Sequence, residues 1–63
     1  MNQSFEGHLP AQQEAAAKSK QGSIETWVVK ANHGGLRYFV VNSIEKLPEG
    51  SKILDHYKIG IKQ

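Results

Sequence analysis

The chain predicts a small three- to four-stranded antiparallel sheet with a short helix or disordered tail at its N-terminus. This is an α+β fold that is mainly β. Three observations carry it. Ile24–Ala31 (IETWVVKA) is rich in β-branched and aromatic residues, which favour a pleated, half-buried surface. Leu36–Val41 (LRYFVV) repeats that composition. Between them, Asn32-His33-Gly34-Gly35 supplies residues that accept positive φ, the punctuation of a hairpin. The chain therefore divides into residues 1–22, a tail or short helix, and residues 23–63, a small antiparallel β domain.

Residues 1–10 have no apolar period, and Phe5 and Leu9 are their only large apolar members after Met1. A mobile terminus is the default expectation. Pro10–Gln21 reads as a helix, with Pro10 in the first turn and Gly22 at the C-terminal cap. Ala11, Ala15, Ala16 and Ala17 are strong helix formers, and Glu14 stands four residues before Lys18 in the favourable order. The apolar stripe is shallow, so a docked helix and a disordered tail both fit. With His33-Gly34 at the hairpin centre, Val29 faces Tyr38, Trp27 faces Val40 and Lys30 faces Arg37. Asn42–Gly50 breaks the chain, and Leu47-Pro48-Glu49-Gly50 suits a tight turn. Ser51–Lys62 reads as one long final strand. Ile53, Tyr57, Ile59 and Ile61 alternate onto one side, with Asp55 interrupting them at a bulge or an edge. The expected core is Trp27, Val29, Tyr38, Val40, Ile53, Tyr57, Ile59 and Ile61.

A chain of 63 residues makes one domain and buries only about 60% of its unfolded surface. It has no cysteine to reinforce it, which suits a reducing cytoplasm. No apolar run reaches the roughly 20 residues of a membrane span. The first 20 residues show no charged segment followed by an apolar one, so no signal peptide is expected. A cytoplasmic protein without a membrane partner is the resulting expectation. The net charge of +2 is mild for a nucleic-acid binder, although a clustered patch can act where the total does not.

Catalytic and metal signatures are weak. His8, His33 and His56 lack the close spacing of metal ligands, and no cofactor is expected. Ser51, Asp55 and His56 contain the residue types of a triad, but Asp55 and His56 point to opposite faces of a regular strand. The glycines after His33 lead into a strand, whereas phosphate loops lead into a helix. An enzyme is not expected. In size and lack of catalytic motifs the chain resembles the small accessory proteins of phages, plasmids and compact bacterial operons. That likeness assigns no residue.

The sheet face opposite the expected core is the better candidate. It gathers Lys30, Arg37, Lys58 and Lys62 around Val28, Phe39, Val41, Leu54 and His56, with no acid among them. Apolar surface with a charged rim suits a protein contact. The expected function is a non-enzymatic binding protein that modulates a protein partner. Arg37 and Phe39 are its central contacts, His56 lies beside them, and Lys30 and Lys58 form a charged rim. The alternative is a single-stranded nucleic-acid binder that uses the same charges with Phe39 as a stacking ring. A homodimer is a third reading.

Overall fold

The computed structural model describes residues 3–32 and 34–63. Five strands and one helix follow in the order β1 (Gln3–Phe5), α1 (His8–Gly22), β2 (Glu25–Asn32), β3 (Leu36–Val41), β4 (Lys52–Lys58) and β5 (Ile61–Lys62). The strands form one antiparallel sheet in the order β1-β3-β2-β4-β5. This is the mainly β, α+β architecture expected, with one more strand. β2, richest in β-branched residues, lies at the centre.

The helix is docked. It starts two residues earlier than the sequence suggests, with Gly7 at the N-cap in extended conformation. Pro10 still falls in the first turn, where backbone N–H groups have no helical partner to lose. Ser23 closes the helix in the left-handed conformation, and its backbone N–H donates to the Ser19 carbonyl. Ala11 and Ala15 are fully buried against the sheet. Small side chains let the helix approach closely enough for Thr26 Oγ1 to donate to the Ala15 carbonyl at 2.7 Å. Val28, Val40 and Tyr57 complete the core, with Phe5, Ala16 and Tyr38 packed against it.

Four expectations are corrected. The N-terminus is not wholly loose, because Gln3–Phe5 pairs with Val40–Tyr38. The hairpin register is one residue away from the expected one. Val28 faces Val40, Val29 faces Phe39, Lys30 faces Tyr38 and Ala31 faces Arg37. Asn32 pairs with Leu36, so the connection has three residues, 33–35, and is centred on Gly34. Gly34 and Gly35 both take positive φ, and Asn32 Oδ1 accepts the Gly35 N–H. His33, part of the expected loop centre, lies outside the described residues. A one-residue shift moves every side chain of one strand to the other face. Thr26 and Val28 therefore join Tyr38 and Val40 under the helix.

The expected final strand is two strands. The chain turns at Ile59-Gly60, where φ is 50° and 79°, and Lys58 pairs with Ile61. Positive φ at both central residues is the pattern of the two-residue hairpin turn. Glycine suits position 60 because its φ of 79° disfavours a side chain and an added Cβ would lie 3.0 Å from Lys20 Cβ; its backbone N–H donates to Ser19 Oγ. The expected core is also revised. Ile53, Ile59 and Ile61 are exposed, and Trp27 is only half-buried. The irregularity near Asp55 is a bulge. Val28 faces Asp55 while Val29 faces Ile53, which leaves Leu54 as the extra residue. The bulge sends Asp55 under the helix and Ile53 to the other side.

A candidate binding face

Helix α1 covers one side of the sheet. The other side is built by alternation along three strands: Glu25, Trp27, Val29 and Ala31 from β2; Arg37, Phe39 and Val41 from β3; His56 and Lys58 from β4. The 42–51 segment reaches over one corner. There Leu47, Pro48 and Ser51 join Val29, Phe39 and Val41 around an apolar cleft of about 210 Å³. Val29 and Val41 are buried at its floor, while Phe39 is half-buried. Ser51 Oγ donates to the Pro48 carbonyl at 2.6 Å, which closes the turn on itself.

Beside the cleft, Trp27 and His56 stack in register across β2 and β4. Their rings are 4.7 Å apart and 4° from parallel. His56 Nε2 lies 2.6 Å from Glu25 Oε2. A carboxylate only accepts, so this nitrogen carries the proton. Arg37 donates to Ser4 Oγ at 2.9 Å and lies 3.6 Å from the exposed Glu6 carboxylate. A second, shallower cleft of about 380 Å³ lies at the start of β2, between Ile24, Trp27, Lys58 and Ile59.

The structure brings four of the five expected contact residues together: Arg37, Phe39, His56 and Lys58 share this side. Lys30 does not join them. It lies on the helix side, in register with Tyr38 and Lys52. The face is also not free of acids, because Glu25 sits beside Lys58 and His56. Trp27, expected in the core, lies on the open side, opposite Val41 and His56. Asn32-His33-Gly34-Gly35 fits a three-residue loop as well as a two-residue one, so the sequence leaves the register open.

A second cluster lies on the helix side. The buried Asp55 carboxylate receives His8 Nε2 at 2.6 Å, Gln12 Nε2 at 3.1 Å and Lys62 Nζ at 3.0 Å. His8 in turn stacks on Tyr38 at 5.3 Å. Burial alone would raise the Asp55 carboxyl, but its hydrogen bonds from His8, Lys62 and Gln12 hold it below the ordinary carboxylate value. Burial, with the Asp55 charge next, raises the Tyr57 hydroxyl. This cluster joins α1, β4 and β5.

No helix among the described residues is long and apolar enough to cross a membrane. No protein-family model, curated protein or solved structure shows a significant match to this chain.

Proposed function

We propose that this chain is a non-enzymatic binding protein that modulates a protein partner through the side of the sheet opposite α1. The observation that carries this reading is the apolar cleft at Val29, Phe39, Val41 and Leu47, bordered by the Trp27–His56 stack and by Arg37. Interfaces draw most of their affinity from a few buried aromatic and arginine contacts ringed by polar groups. Phe39 and Trp27 supply the rings here. Arg37, His56 and Lys58 supply the rim, together with Glu25. Lys30 leaves the site.

The test is capture by the tagged full chain from nuclease-treated lysate. A protein retained by the wild type and weakened at least about 30-fold by Phe39→Ala, with the far-UV circular dichroism unchanged, supports the reading. Capture that survives both Phe39→Ala and Arg37→Ala places binding elsewhere on the molecule.

One observation favours a second reading, single-stranded nucleic acid. The corrected register adds Trp27 to Phe39 and His56 on a side that also carries Arg37 and Lys58, and stacked bases need rings next to cations. Against it stands Glu25, which brings negative charge onto that side. Salt separates the two readings. Phosphate-driven affinity falls steeply with ionic strength, whereas an apolar protein contact changes little. Absence of binding to mixed single-stranded DNA and RNA at low salt removes the nucleic-acid reading.

A further inference from the structure

Both sides of the sheet carry apolar side chains. Under α1 the buried cluster is Ala11, Ala15, Val28, Val40 and Tyr57. On the open side Val29 and Val41 are already buried, Trp27 and Phe39 are half-buried, and Ile53 and Ile61 are exposed. Ile53 is 46% exposed and Ile61 68% exposed. A sheet with two apolar faces needs a layer on each. Helix α1 is committed to the first, and the 42–51 segment reaches over one corner of the second. A cysteine-free chain of 63 residues also has little stability to spare as an isolated unit, and oligomerisation is one of the few supports open to it.

Charge narrows the identity of the missing layer. A face with only positive charge repels its own copy. Here each end of the apolar strip carries both signs: Lys58 beside Glu25 at the start of β2, and Arg37 near Glu6 at the far end. A two-fold contact can therefore oppose cations to acids, which a face of one sign could not. Size sets a limit. The molecule measures 31 × 23 × 20 Å, which limits its broadest flat projection to about 700 Å², so a contact would have to use most of one side to approach the ~800 Å² that each partner gives to a standard interface. Each copy also holds both complementary shapes. The 210 Å³ cleft is sized for one or two large apolar side chains, and Ile53 and Ile61 protrude from the same side.

We propose that the partner of this face is a second copy of the chain, docked sheet to sheet about a two-fold axis to give a helix–sheet–sheet–helix sandwich. This rests on the reading of the open side as a binding surface and names its occupant. The apolar strip of each copy becomes the second layer of the other.

Sedimentation equilibrium of the full chain tests it. At about 100 μM the expected mass is twice the 7.0 kDa of the chain, falling towards the single mass on dilution. Phe39→Glu is expected to raise the dimer dissociation constant at least about 100-fold, because it buries a charge at the centre of the contact. Ile61→Glu, at an exposed position on the last strand, is the second variant and should weaken the dimer with unchanged circular dichroism. A wild type that stays at 7.0 kDa up to about 1 mM overturns the proposal, as does a dimer that neither substitution weakens. A monomeric wild type that still captures a different protein in a Phe39-dependent way overturns the second-copy occupant alone and leaves the binding face standing.

Discussion

Asp55 shows how one residue on the helix side of the sheet can tie several elements together. A carboxylate this buried is stable only because His8, Gln12 and Lys62 satisfy it. Its carboxyl is held below the ordinary value, the unfolded reference near 3.8. A group whose folded pKa is depressed contributes stability above its unfolded pKa, and that contribution is lost as pH falls through the folded pKa. The urea midpoint should therefore fall between about pH 5 and pH 2, where the carboxyl takes up its proton. Asp55→Asn should be less stable than the wild type at pH 7 by roughly 2–3 kcal/mol, and much flatter in that acid window. An acid limb equally steep in Asp55→Asn would place the titration on another carboxylate. The same residue shows the limit of pattern reading. In the sequence it looked like a flaw in an apolar alternation, and a bulge was one of two explanations. Its partners come from positions 8, 12 and 62, which no local pattern connects.

At the scale of elements, the β4–β5 turn carries a local conflict. Ile59 takes φ of 50° while remaining 54% exposed. A β-branched residue is disfavoured at positive φ, and this turn type favours Asn followed by Gly. Gly60 already fills the second place. Ile59→Asn should stabilise the chain by about 0.5–1 kcal/mol, read as a rise in Tm of several degrees. A lower Tm would mean that the buried part of Ile59 outweighs the backbone strain. This conflict is also why β5 escaped the sequence. Tyr57, Ile59 and Ile61 continue a period of two, and an isoleucine gives no turn signal, so one long strand was the natural reading. β2 and β3 were legible as strands for the opposite reason, since both are dense in β-branched and aromatic residues. Their register was not legible. Thr26, Val28 and Val29 are all buried, so buried residues run along both sides of β2 and its alternation does not say which side lies under the helix. The register also decides which side chains share the open side: Arg37, Phe39, His56 and Lys58 lie there with Trp27 and Glu25, while Lys30 lies on the helix side.

Across the whole molecule, the two ends of the chain make the two rims of the sheet. β1 shields β3 on one edge, and β5 shields part of β4 on the other. Both rim strands are short, three and two residues, and short edges offer little template for pairing with other chains. The last three residues hold the β5 rim in place by distinct contacts. Lys62 pairs with Asp55, Gln63 N–H donates to the His56 carbonyl at 2.8 Å, and Ile61 pairs with Lys58. Removing residues 61–63 should therefore do more than Lys62→Gln. The single substitution removes one donor from Asp55 and leaves the strand in place. The truncation also frees the outer edge of β4, beside the exposed Ile53. Expected outcomes are a modestly lower Tm for Lys62→Gln without loss of solubility, and for the truncation a larger fall in Tm with turbidity or light scattering that grows with concentration. A truncated chain that melts like Lys62→Gln and stays clear would show that β4 is protected without β5. In that case its bulge and Lys52 blunt the edge unaided.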